Sequence, residues 1–247
     1  MHKFFVDEIK EMIEIAGEDA KHISKVLRCP VGEQIEVSDG KGREALCEIK
    51  GFEADSVILK RMEEYDNRTE PDIEITLFQC IPKGQKMEEI INSCTQLGVN
   101  SFVPFLSERT VVKGTAKDFE KKRDRWQKVA QSAAQQSKRG TIPKVREVQQ
   151  FSQLPQGLTG FDAVFFAYEE CRDYKISQYI EEIKSNRNRT VQKIAVIIGS
   201  EGGFSPAEAE LLIQCGYRPI SLGKTILRAQ LAPVIAVTAI LYGFDVL

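Results

Sequence analysis

Five residues, Gly199-Ser200-Glu201-Gly202-Gly203, stand between an apolar run and a helix start, and their types limit what they can hold. The glycines let the backbone turn tightly and approach a ligand, and they equally serve a bare strand-to-helix turn. Glu201 puts negative charge where a pyrophosphate-binding loop avoids it. The loop also lacks the Lys-Ser/Thr of a P-loop and the G-x-G-x-x-G spacing of a dinucleotide site. A ligand with hydroxyls, an aromatic ring and some positive charge suits it better than one gripped by its phosphates. A second loop, Ser221-Leu222-Gly223-Lys224-Thr225-Ile226-Leu227-Arg228, repeats the arrangement. There a short strand ends in glycine and an apolar helix from about Gln230 to Tyr242 follows.

The elements that position these loops are legible from their periods and caps. Ile194–Ile198 is an unbroken apolar run, which suits a strand covered on both faces. Ser205, Pro206 and Glu208 spell a helix start, with Ser as N-cap, Pro at the first position and Glu at the third. From Ile73 onward strands and helices alternate. Strands are expected at 73–80, 100–106 and 161–168, and helices at 85–97, 117–138 and 175–185. Such alternation implies an α/β fold with a mostly parallel sheet covered on both sides. Met1 to about Glu64 instead reads as a small β-rich unit. Its strands are expected at 4–6, 34–37, 44–52 and 56–62, with a helix at 20–28 and a turn at Asp39-Gly40-Lys41-Gly42. Tyr65–Pro71 is polar and aperiodic and reads as a linker, which divides the chain into 1–70 and 71–247.

Composition narrows the function classes. The six cysteines are scattered, with no C-x-x-C pair, and His2 and His22 are the only histidines. No metal site and no disulfide framework is expected, and a Ser-His-Asp triad has little material. Met1-His2-Lys3-Phe4 opens no signal segment, and no apolar run is long enough to span a membrane, so a cytoplasmic location is the expectation. The net charge is −2, yet Lys113–Arg146 holds eleven Lys or Arg against Asp118, Glu120 and Asp124. That strip carries +8 and the remainder −10. An RNA-facing surface on an otherwise acidic protein has this asymmetry, and so does a solvated helix face of mixed charge.

GSEGGFSPAE followed by SLGKTILRA resembles the C-terminal signature of the SPOUT-class methyltransferases, and within them the RsmE-like family, which methylates N3 of a uridine in 16S ribosomal RNA. HISKVLRCPVGEQIEVSDGKG resembles that family's PUA-like opening, and IPKGQKMEEIINSCTQLGV, SERTVVK and QQSKRGTIP resemble further segments in the same order. The resemblance implies a small PUA-like β-barrel followed by a SPOUT domain whose two glycine loops form a C-terminal trefoil knot. It implies S-adenosylmethionine (SAM) held by Gly199, Glu201, Gly202, Gly203, Leu222, Gly223, Ile226 and Leu227. It also implies 16S ribosomal RNA of the small subunit as partner, and a homodimer built on the apolar segment Leu231–Leu247.

Methylation at uracil N3 requires loss of a weakly acidic proton, so a base or an oxyanion-stabilising cation is expected. Arg228 is the candidate, contacting the uracil or the phosphate beside it, or else forming an ion pair with Glu201. Arg28, Arg109, Lys121, Lys122, Arg125 and Arg139 are the candidate RNA contacts. Two positions depart from the family pattern. Ser200 stands for a proline, and Arg228-Ala229-Gln230-Leu231-Ala232 stands for Arg-x-Glu-Thr-Ala. An RNA-binding or assembly module that kept the fold without turnover is the alternative function. An NAD-dependent oxidoreductase is disfavoured by the late glycine loop without its fingerprint.

Overall fold

A computed structural model describes residues 1–186 and 191–246; the last residue of the apolar segment, Leu247, lies outside the described residues. The chain divides into two compact units, 1–70 with 134–142, and 71–133 with 143–247.

The first unit is a curled five-stranded sheet in the order β1-β3-β4-β5-β2. Its strands are β1 (Lys3–Phe5), β2 (Met12–Ala16), β3 (Gln34–Ser38), β4 (Arg43–Phe52) and β5 (Ser56–Asp66). Alternation buries Ile35, Val37, Ala45, Cys47, Ile49, Val57 and Leu59 on the inner face. Burial in this apolar core pushes the Cys47 thiol up to about 11, so it is an inert packing residue. Irregularities at Leu46/Cys47 and Ile49/Gly51 curl β4 against β5. The sequence reading missed β2, whose period-2 pattern Met-Ile-Glu-Ile-Ala is only five residues long. The helix expected at 20–28 is instead α1 (Gly17–Lys21) followed by a π-helical turn, His22–Leu27, that ends on Arg28 in the left-handed region at φ 56°.

The segment expected to be a linker is ordered by hydrogen bonds. β5 continues to Asp66, and Asn67 Nδ2 donates to Glu44 Oε1 at 2.6 Å. Glu70 accepts from Arg139 Nη2 at 2.5 Å and from the backbone N–H groups of Gly140 and Thr141. Gly140 packs on Asn67, and Ser38 Oγ donates to the Gly140 carbonyl. Residues 134–142 are thus an integral part of the first unit. Burial pushes the Glu70 carboxyl up, but the Arg139 guanidinium and the Thr141 donors outweigh it and hold it below the usual carboxylate range.

The second unit carries an all-parallel seven-stranded sheet. Its main path is β12-β10-β11-β6-β7-β8, and β9 pairs with β7. The strands are β6 (Glu74–Cys80), β7 (Ser101–Leu106), β8 (Lys144–Val145), β9 (Gln149–Gln150), β10 (Ala163–Ala167), β11 (Lys193–Ile198) and β12 (Pro219–Ile220). The helices are α2 (Lys86–Gln96), α3 (Ala116–Gln136), α4 (Leu154–Gly157), α5 (Ile176–Ser185), α6 (Pro206–Gln214) and α7 (Ala232–Gly243). One face of the sheet packs on α2, α5 and α7; the other packs through Phe78, Phe105, Phe166 and Phe204. The capping box at the start of α6 is present, with Ser205 Oγ accepting from Glu208 N and Glu208 Oε2 accepting from Ser205 N.

Three details of the C-terminal stretch correct the sequence reading. The short strand is Pro219–Ile220, and Ser221–Gly223 already belongs to the loop. α7 starts at Ala232 rather than Gln230, without a side-chain cap, and the Arg228 carbonyl accepts the N–H groups of Leu231 and Ala232. Within the segment Leu231–Leu247, from which a homodimer was expected, Val237 and Leu241 are buried in this chain's own core and are not open to a second subunit.

Glu70→Ala is expected to destabilise the first unit by about 3 kcal/mol, because it removes the carboxylate that compensates a buried guanidinium. The Glu70 carboxyl is held below its unfolded value, so its contribution is full above about pH 4.5 and fades as pH falls through the folded pKa. Urea unfolding of wild type and variant between pH 3 and 7 should show curves that converge at the acid end.

Candidate functional site

The parallel register brings the carboxyl ends of β11, β10 and β12 side by side, because β10 pairs with both of its neighbours. In open parallel sheets this edge is where ligands bind. A cleft of about 600 Å³ lies over it, built from the loops after Ala167, Ile198 and Ile220. Sites for small organic ligands span roughly 300–1,000 Å³.

Gly199, Gly203, Leu222, Gly223, Ile226 and Leu227 line this cleft. Glu201 and Gly202 do not, although both were expected to bind the ligand. The Ser200 carbonyl accepts the Gly203 N–H, which closes a tight turn and points residues 201 and 202 the other way. Glu201 binds Lys86 Nζ at 2.7 Å and accepts the Lys83 N–H at 3.1 Å. Burial pushes the Glu201 carboxyl up, but Lys86 and the backbone donors outweigh it and hold it below the usual range. The Gly202 carbonyl accepts Arg109 Nη1 at 2.9 Å, and the Gly202 Cα faces the Arg109 side chain. The glycine loop is therefore tied to the loop after β6 through Glu201 and to the loop after β7 through Gly202.

The second glycine loop is shaped by Ser221, whose Oγ donates to the Gly223 carbonyl and accepts the Gly223 N–H. Gly223 sits at φ +141°, which disfavours any side chain. Ile226 is 90% exposed, an apolar side chain standing open in the cleft wall. Ser200 Oγ, also in the wall, is buried and has no hydrogen-bond partner.

The sequence reading missed the third wall, Tyr168-Glu169-Glu170-Cys171-Arg172 with Lys175. The signal present was an acidic pair directly after a buried strand. Burial raises the Tyr168 phenol above its ordinary value, Glu169 and Glu170 add to the rise and Arg109 opposes it, so Tyr168 stays protonated near neutral pH. Arg172, Lys175 and Lys224 supply positive charge, so the cleft presents both signs.

Arg228 is exposed next to the cleft wall, and no ion pair joins it to Glu201, which pairs with Lys86 instead. The candidate RNA contacts scatter. Arg28 is exposed in the first unit and Lys121 on α3. Lys122 lies 5.3 Å from the centroid of the Phe119 ring, and Arg125 pairs with Glu88 at 2.9 Å. Arg109 serves the glycine loop. Arg139 is only 4% exposed and is bound to Glu70, so it presents no charge at the surface. Its neighbours Gln-Ser-Lys in the sequence gave no sign of that burial. Among the described residues no group of His, Cys, Asp and Glu could hold a metal, and no helix is long and apolar enough to cross a membrane.

A family model described as RNA methyltransferase domain matches residues 69–241, and one described as RNA methyltransferase PUA domain matches residues 15–60. The chain is 36% identical to ribosomal RNA small subunit methyltransferase E of Bacillus subtilis, over 100% of this chain and 98% of the relative. It is 30% identical to the protein of the same name from Synechocystis, over 94% of this chain and 73% of the relative. Among solved structures it is similar to a ribosomal RNA small subunit methyltransferase E from Neisseria gonorrhoeae bound to S-adenosyl methionine, with TM-score 0.86, 26% identity and coverage of 98% and 97%. A methyltransferase from Legionella pneumophila in complex with SAM has TM-score 0.84, 25% identity and coverage of 97% and 96%.

Replacing Glu201 with Gln should loosen the glycine loop without removing a cleft-lining group. Amide hydrogen exchange at Lys83 and across 199–204 is expected to speed up by about tenfold, in line with a hydrogen bond to a charged group worth roughly 1.5 kcal/mol. Unchanged protection would mean the tie does not hold the loop.

Proposed function

Since the chain belongs to the ribosomal RNA small subunit methyltransferase E family, we propose that its cleft binds SAM and that it methylates N3 of a uridine in 16S ribosomal RNA. The observation that carries this reading is the cleft at the carboxyl ends of β11, β10 and β12, built from both glycine loops.

The residues present fit the methyl donor. The backbone around Gly199, Gly203 and Gly223 is open enough to lie against an adenosine. The unpartnered Ser200 Oγ offers a hydrogen bond to a polar ligand. Charges of both signs suit a molecule with a carboxylate, an ammonium and a sulfonium. Bound SAM would supply an electrophilic methyl group, whose transfer demands orientation above all. Leu222, Ile226 and Leu227 would exclude water around the donor. The Arg228 guanidinium, free beside the cleft, would hold the uracil oxygen or the adjoining phosphate and stabilise the negative charge that develops as the N3 proton leaves. N3 lies on the Watson–Crick edge, so the base must be unpaired or extruded to reach this site.

The same reading makes 1–70 a PUA-like RNA-binding domain and 71–247 the methyltransferase domain, with the two glycine loops as the strands of a trefoil knot. Exposed charge on Arg28 and Lys121, with the half-buried Lys122, supports RNA contacts in both. Ribosomal RNA as substrate also makes a cytoplasmic location the natural one.

Mass mapping of modified uridines in small-subunit RNA, from cells with and without the protein, tests the reaction. One N3-methyluridine should vanish with the protein. Arg228→Ala should lower methyl transfer by at least about 100-fold, while SAM affinity by calorimetry stays within about threefold. SAM binding with no change in any uridine would favour the RNA-binding or assembly module instead.

A homodimer is part of the proposal, built on the outer side of the apolar segment Leu231–Leu247. Leu231, Ile235, Thr238 and Tyr242 follow helical spacing along the outer side of α7, with Leu231 45% and Tyr242 76% exposed. Light scattering should report a dimer for wild type and a monomer for Leu231→Glu/Tyr242→Glu. A wild-type monomer active on RNA would remove the dimer from the mechanism.

A further inference from the structure

The loop after β10 carries Glu169 into the cleft. Its carboxylate lies directly against Gly203, so that a Cβ at position 203 would overlap it. Gly203 is also at φ +63°. Glycine is thus required there twice, by the turn and by the carboxylate that occupies the space of a side chain. Among the described residues no ammonium or guanidinium pairs with Glu169. Lys86 pairs with Glu201 and Arg109 with the Gly202 carbonyl, while the cations that line the same cleft, Arg172, Lys175 and Lys224, form no ion pair with Glu169. An exposed carboxylate that lines a ligand cleft without an ion-pair partner is a preformed subsite for a cation.

Resting on the reading that this cleft holds SAM, we propose that Glu169 makes the site distinguish the cationic methyl donor from the neutral thioether left after transfer. The two ligands share an adenosine, a carboxylate and an ammonium; they differ by one methyl and one positive charge. A methyl is a weak handle for an open cleft with an exposed Ile226, and charge is the stronger one. The sulfonium is attracted by the unpaired carboxylate. The thioether carries no charge for that carboxylate to attract, so the product is held less tightly than the donor. Transfer of the methyl group itself removes the charge that favoured binding, and the spent product departs.

Calorimetric titration with three ligands tests this: SAM, its thioether product, and an analogue bearing an ammonium in place of the sulfonium. Glu169→Gln should weaken SAM and the ammonium analogue on the order of tenfold, with the thioether changed by less than about twofold. Glu210→Gln, an exposed residue on α6, carries the same change of net charge and should leave all three affinities alone. Equal weakening of all three ligands by Glu169→Gln would overturn the proposal, since the carboxylate would then bind a group they share. No weakening, or the same selectivity from Glu210→Gln, would overturn it as well. A wild-type protein that binds none of the three would remove the SAM reading itself, and the inference with it.

Discussion

Everything at the candidate site hangs on the in-register parallel pairing of β10 with β11 on one side and β12 on the other. Each parallel strand ends at the same edge of the sheet, so the loops that leave Ala167, Ile198 and Ile220 must emerge together. The strands are fixed by burial on both faces. Phe165 and Val196 face the helices α2, α5 and α7, while Phe166 and Ile197 face the aromatic layer with Phe204. A slip of one residue would exchange these two faces and disperse the loops.

The glycine loop after β11 joins that edge to the neighbouring strands. Gly203 turns back on Ser200, which sends Glu201 and Gly202 outward to Lys83, Lys86 and Arg109. Two families of charge result. Glu201 is neutralised by its ties and has a structural role. Glu169, reaching in from the loop after β10, has no such partner and lines the cleft. Net charge of the whole chain says nothing about this division, because it depends on which loop ends at which edge.

The first unit has a comparable organising contact in Glu70. A carboxylate with Arg139 and two backbone donors compensates one buried charge with another and satisfies its remaining lone pairs. That contact gathers residues far apart in sequence, and with Asn67 and Gly140 it turns what reads as a polar linker into part of the fold. The charge that the Lys113–Arg146 strip presents at the surface is accordingly smaller than its sequence count, since Arg139 is buried on Glu70.

What the amino-acid sequence determines by itself is local. Apolar runs placed β6, β7, β10 and β11, and the spacing of Ser205, Pro206 and Glu208 set the start of α6, because period and capping are properties of a few adjacent residues. The two glycine loops were legible for the same reason, as was their pairing with a family pattern. The direction in which each loop residue points is decided by tertiary structure. Gly199 and Gly203 face the cleft while Gly202 faces Arg109, and their types are identical. Val237 and Leu241 look like any other apolar residues of α7, yet packing against α5 and α2 buries them and leaves Leu231 and Tyr242 outside. Arg139 and Glu169 show the same limit from the charged side. Whether a charge is paired and buried, or unpaired and aimed at a ligand, depends on partners brought close only when the sheet has assembled.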